Sequence, residues 1–147
     1  MTDPRKTMTG LQQLQAAFAD PASRPGIGRT MNFALETIEE GRVVFQGNPD
    51  ENVYNPIGTV HGGYAATLLD SAVGCAVHTM LKPGQGYTTL ELKVNYVRAM
   101  TSATGKVQAE GKVVNVGRRV AFAEGRLTDA EGRLYATAST TCLVFDL

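Results

Sequence analysis

The spacing of hydrophobic positions changes once along this chain, and the change divides it. Residues 62–81 are apolar or small at almost every position and read as one long helix, stopped by Lys82-Pro83-Gly84. After that stop the period falls to two. Leu90, Leu92, Val94 and Tyr96 alternate with Glu91, Lys93 and Asn95, which predicts a strand with one apolar face. Three further strands are expected over 105–116, 118–128 and 133–145. Gly117 separates the first two, and Asp129-Ala130-Glu131-Gly132 makes a hairpin turn between the last two. Upstream, 31–38 and 42–46 read as strands about a Glu40-Gly41 turn, and a breaker-rich loop fills 47–58. Leu11, Leu14 and Phe18 are spaced for a short amphipathic helix over 9–19, which Asp20-Pro21 and Arg24-Pro25-Gly26 end.

A single long helix followed by an antiparallel meander is an α+β arrangement. Because that helix is apolar around most of its circumference, it should be buried, and a strongly curved sheet wrapped around it would bury it. The chain of 147 residues is long enough for one such core. Its 14 basic and 14 acidic residues cancel, so no general attraction for a polyanion exists and nucleic acid is not the expected partner. An apolar fraction of 43% beside a charged fraction of 19% suggests extra buried or subunit-facing surface. Cys75 and Cys142 lack metal or disulfide spacing and are expected as buried free thiols. The first ten residues carry no apolar signal segment, and 62–81 is interrupted by Asp70 and His78, so no membrane span and a cytoplasmic setting are expected.

Candidate chemistry gathers around the long helix. His61-Gly62-Gly63 stands where loop becomes helix, where first-turn N–H groups have no helical partner and the dipole is positive. Such donors can polarise a carbonyl and stabilise an oxyanion. Asp70 is the only acidic residue in the helix, with Ala66, Thr67, Val73 and Gly74 three and four positions away. An ionised carboxylate on so small and apolar a surface is costly unless it is hydrated, paired or used. Taken singly, Asp70 reads equally as a surface or structural acid, His61 as a loop hydrogen-bonder and Asn55 as a turn residue beside Pro56. His78 has no partner evident in the sequence. Gly62 and Asp70 are eight residues apart, roughly 12 Å along a helix axis. One subunit therefore cannot readily supply both donor and carboxylate to one carbonyl. Two copies of the helix about a two-fold axis can, which predicts a site shared between subunits.

The run Asn55-Pro56-Ile57-Gly58-Thr59-Val60-His61-Gly62-Gly63, with Asp70 following on the helix, closely resembles the signature of the PaaI-like hotdog thioesterases, relatives of phenylacetyl-CoA and 4-hydroxybenzoyl-CoA thioesterases. The resemblance runs from about residue 30 to the C-terminus. It implies a hotdog domain over 31–147 with an N-terminal helical extension over 1–30, either a lid, a subunit contact or a cap on the sheet. It also implies an acyl-CoA thioesterase without metal or organic cofactor, assembled as a homotetramer, a dimer of dimers. Carried across, Asp70 is the nucleophile or general base and the Gly62 N–H the oxyanion donor. His61 and Asn55 orient the carbonyl and the water, and Thr89, with Thr88 close in register, positions the water. The turn Asn115-Val116-Gly117-Arg118-Arg119-Val120 resembles the coenzyme A-binding segment, and Tyr96 falls near the bound nucleotide. Read without the family, that turn is an ordinary hairpin with solvated arginines, and Tyr96 belongs to a core face.

Two other functions compete. A hotdog hydratase or dehydratase would share the fold but arrange its histidine and acid differently. A non-catalytic acyl-CoA sensor would keep the pocket and the arginines without needing a carboxylate at 70. Aromatic and medium-chain acyl groups are both open.

Overall fold

The computed structural model of the chain describes residues 2–20 and 26–147. In chain order it contains α1 (Gly10–Phe18), a four-residue helical turn α2 (Ile27–Thr30), β1 (Phe33–Glu39) and β2 (Arg42–Gly47). The long helix α3 (Gly62–Thr79) follows, then β3 (Gln85–Tyr96), β4 (Val107–Val116), β5 (Val120–Asp129) and β6 (Leu134–Asp146). The strands form one antiparallel sheet in the order β1-β2-β4-β5-β6-β3. α3 lies against strands across the whole sheet, which is the expected hotdog arrangement. Pro21, Arg24 and Pro25, read as breakers after α1, lie outside the described residues. α2 was not expected, because Gly26 reads as a stop rather than as the residue preceding a turn of helix.

Ten residues of α3 are buried, Tyr64, Leu68, Leu69 and Val73 among them, while Gly63 and Asp70 on the other side are exposed, so the helix is more open on that side than its apolar circumference predicts. The sheet is thinned to admit it. Gly111 and Gly125 are paired across β4 and β5. A Cβ on Gly111 would overlap the Ala72 carbonyl, and one on Gly125 would come within 3.0 Å of a Val73 methyl. Side chains there would push the helix off the sheet, an overpacking cost of about 1–3 kcal/mol. The far end of α3 is tied down by Thr79. Its buried hydroxyl donates to the Ala76 carbonyl at 2.6 Å and accepts from the Gly41 N–H at 2.8 Å. Gly41, in the β1–β2 turn, holds φ at +78°, a conformation that favours glycine.

β3 departs from its predicted face. A bulge between Thr89 and Glu91 leaves Leu90 without a partner on β6. Before the bulge the odd residues Tyr87 and Thr89 turn toward α3; after it the even residues Leu92 and Val94 pack into the core. Leu90, expected on the apolar face, is 57% exposed as a result. The strand also begins at Gln85, five residues before the alternation, because the extra residue breaks the period there.

The β5–β6 turn at 129–132 forms around the buried Asp129 carboxylate. It accepts from the Glu131 and Arg133 N–H groups, the Arg133 guanidinium and the Tyr135 hydroxyl. Burial pushes its pKa up, and these donors outweigh burial and hold it at about 2.

α1 is attached to the far end of α3. Thr9 and Gln12 form a reciprocal cap at its start, and the Gly10 N–H donates to the Leu81 carbonyl at 2.9 Å. A Cβ on Gly10 would overlap the His78 carbonyl, so only glycine permits this approach. His78 does have partners: its Nε2 lies 3.1 Å from the Gln13 amide oxygen, and its ring rests on Tyr87. Burial lowers its pKa. Cys142 is buried, whereas Cys75 is only half-buried, and neither is in a disulfide.

Candidate active site

The predicted site residues fall into three groups. The first is Asp70 with Thr89. Asp70 is exposed on α3, and the Thr89 hydroxyl donates to its Oδ1 at 3.2 Å. The bulge at Leu90 is what turns Thr89, rather than the exposed Thr88, toward the carboxylate. Both line a cavity of about 560 Å³. On the helix side its floor is Asp70, Ser71, Gly74 and Cys75, one face at spacings of one and four. Gly74 leaves space that the Tyr87 hydroxyl borders; a Cβ there would meet it at 3.3 Å. The rest of the lining is mostly apolar, with Phe18, Ile27, Phe33, Leu35 and Phe45, but it also includes Arg29.

The second group sits at the start of α3. His61 is the N-cap, and its Nδ1 accepts from the Gly63 N–H at 2.8 Å. That bond requires an unprotonated Nδ1, so in the neutral ring Nε2 carries the proton and points a donor outward. The Tyr64 N–H bonds to the His61 carbonyl at 2.9 Å. The Gly62 N–H has no acceptor among the described residues, so it is an oriented donor at the positive end of the helix. Tyr96 closes over this point: its hydroxyl donates to the Gly62 carbonyl at 2.7 Å, and a Cβ on Gly62 would meet its ring at 3.0 Å. Asn55 is occupied with its own loop. Its Oδ1 accepts from the Ile57 and Thr59 N–H groups, and its Nδ2 donates to the Thr59 hydroxyl.

The third group is the turn between β4 and β5, with Asn115, Val116, Gly117 and Val120 shaping it. Arg118 and Arg119 line a separate cavity of about 580 Å³ with Gln85, Val144 and Phe145. One chain thus brings Asp70 and Thr89 together, and Gly62, His61 and Tyr96 together. Neither the second nor the third group enters the Asp70 cavity. Among the described residues no cluster of three or more metal-ligating side chains forms. No described helix is long and apolar enough to cross a membrane.

Sequence reasoning missed the cavity wall. Ser71, Gly74 and Cys75 could have been found from their spacing to Asp70. Phe18 and Ile27 could not, because nothing in the chain says that the N-terminal segment folds back beside α3.

A family model described as the thioesterase superfamily matches residues 57–136, more than half of the chain. The chain belongs to the thioesterase superfamily. The matched span contains His61, Gly62, Asp70, Thr89, Tyr96 and the arginine turn, and leaves out Asn55 and the whole N-terminal segment. The 1,4-dihydroxy-2-naphthoyl-CoA hydrolase of Listeria monocytogenes is 24% identical over 119 residues, covering 81% of this chain and 95% of that protein. A solved variant of the phenylacetic acid degradation protein PaaI of Thermus thermophilus is 26% identical with a TM-score of 0.71, over 79% of this chain and 96% of that one. A hypothetical thioesterase protein of Streptococcus pneumoniae, solved with coenzyme A, is 28% identical with a TM-score of 0.70, over 78% and 90% of the two chains. The PaaI-like resemblance is borne out, and the chain is a thioester hydrolase by its family.

Proposed function

We propose that this thioesterase-superfamily chain hydrolyses an acyl-coenzyme A to the free acid and coenzyme A, with Asp70 as its catalytic carboxylate. The observation that carries the reading is an exposed carboxylate in a mostly apolar cavity, steadied on one oxygen by Thr89 and open on the other. Asp70 either takes a proton from the attacking water or attacks the thioester carbonyl itself. In both routes the carbonyl oxygen gains charge, which the Gly62 N–H and the outward nitrogen of His61 from a second copy would stabilise. Asn55 holds the loop from which His61 projects. The thiolate of coenzyme A leaves, and Arg118 and Arg119 at their glycine turn suit its phosphates.

The separation of the three groups supports a site completed by a second copy. β3 is an edge strand of twelve residues, with Leu90, Tyr96 and the adjoining Val97 more than half exposed. An edge of that length invites pairing. Two copies joined there about a two-fold axis bring one α3 start toward the other Asp70, and two such dimers form a tetramer. An acyl-CoA substrate fits the cytoplasmic setting expected from the sequence.

The test is release of free thiol from a panel of aromatic and aliphatic acyl-CoAs by the wild type and Asp70→Asn. The expected result is turnover by the wild type and a fall in kcat of at least about a hundredfold in the variant, with coenzyme A binding kept. Unchanged turnover in the variant would remove Asp70 from the mechanism, and wild type inert toward every thioester would end the proposal.

A further inference from the structure

The apolar wall of the Asp70 cavity comes largely from residues that the family model does not match. Phe18, at the end of α1, and Ile27, at the start of α2, stand there beside Phe33 and Phe45. The three rings are organised. Phe45 is 4% exposed and meets Phe18 edge-to-face at 5.9 Å and 68°, and Phe33 at 5.8 Å and 75°. Such an arrangement fixes each ring and leaves faces and edges available to a further apolar group.

Phe18 is also held from behind. α1 is anchored by the Gly10 bond to Leu81, by Gln13 against His78 and by Leu14, which is 7% exposed. A ring on an anchored helix presents a formed surface to a ligand rather than one that must be ordered on binding. Ile27 is different: it lines the same cavity but is 54% exposed, so it is a solvent-facing part of the wall. The wall thus joins a held ring to a solvent-facing aliphatic side chain.

Resting on the thioesterase reading above, we propose that Phe18 and Ile27 are specificity-determining residues: they form the acyl-selecting wall of the site and favour large apolar acyl groups over short ones. The acyl chain lies along this wall with its carbonyl at Asp70. Removing Phe18 leaves a large acyl group without its main apolar contact, while an acetyl group, held at the carbonyl, does not reach it. Filling the cavity at position 27 excludes large groups and admits small ones.

The experiment compares Phe18→Ala and Ile27→Trp with the wild type, reading kcat/KM for acetyl-CoA and for phenylacetyl-CoA. It also reads binding of two thioethers with no cleavable thioester, S-methyl-CoA and phenacyl-CoA. In both variants kcat/KM for phenylacetyl-CoA is expected to fall at least about tenfold, with acetyl-CoA changed by less than about threefold. The preference for phenacyl-CoA over S-methyl-CoA should shrink in parallel. Ile27→Trp alters an exposed position, so its result stands even if Phe18→Ala fails to fold. Equal losses on both thioesters, or none on either, would overturn the wall. A wild type that hydrolyses nothing but discriminates the two thioethers, with the variants losing that discrimination, would sink the proposed hydrolysis and leave the wall standing. A wild type that discriminates neither pair would overturn the wall.

Discussion

The start and the middle of α3 are built on opposite plans. At the start, His61, Gly63, Tyr64 and Tyr96 bind one another so thoroughly that a single backbone donor, the Gly62 N–H, is left over. In the middle, Asp70 is exposed and receives one side-chain hydrogen bond, from Thr89, in a cavity that small residues and phenyl rings keep open. The first region is rigid and electropositive, and the second is open and anionic. Neither alone completes acyl transfer chemistry, which needs a carboxylate and an oxyanion donor at the same carbonyl. About 12 Å of helix separates them within one chain. Under the proposed mechanism these are two half-sites, and a second copy of the chain unites them.

The largest expected effect falls on the open half. Asp70→Asn keeps the shape and removes the reactive carboxylate, and should lower kcat at least about a hundredfold. Thr89→Val comes next. It removes the one side-chain hydrogen bond to Asp70 and should lower kcat about tenfold with KM nearly unchanged, as measured by steady-state thiol release. The rigid half should respond less to the loss of a support. Tyr96→Phe deletes the bond to the Gly62 carbonyl while the helix still holds that peptide, and kcat should fall about threefold or less. A larger loss for Tyr96→Phe than for Thr89→Val would reverse the comparison.

The smallest effect on turnover is predicted at His78, which serves neither half directly. Burial lowers its pKa from 6.5, so the unfolded chain takes up the proton more readily than the folded one. The stability it contributes is complete above that value and falls as the pH drops through it. Thermal unfolding should therefore show a lower Tm at pH 5 than at pH 7. His78→Gln should flatten that dependence and leave turnover at neutral pH unchanged. An equal pH dependence in the variant would place the titrating group elsewhere.

How much of this was legible beforehand depended on the range of the contacts involved. The long helix was expected at 62–81 and ends at Thr79, because continuous apolar character and a Lys-Pro-Gly stop are local signals. The strands after it began within two residues of their expected positions, with β3 the exception. One extra residue at Leu90 inverts the faces on its two sides, and no composition rule marks which residue bulges. In the site, Asp70 stood out as a charge on an apolar helix, and the separation of the half-sites followed from helix rise alone. The tie between Asp70 and Thr89 depended on that bulge. Gln13, which meets His78, and the wall residues Phe18 and Ile27 come from α1 and α2, more than forty residues before the parts of α3 they face, and pattern alone carries no such pairing.

In the proposed mechanism one chain's Asp70 works with the helix start of another. Mixing two variants, each impaired in one half, decides this: Asp70→Asn, and His61→Ala, which removes the cap and its outward donor and is expected to lower turnover strongly on its own. The variants are co-expressed or unfolded and refolded together, and thiol release is measured. Random pairing gives heterodimers in which one site has both parts intact, so activity should return to about a quarter of wild type. Mixtures that stay as inactive as the separate variants, with exchange of subunits verified, would contradict the shared site and return both half-sites to a single chain.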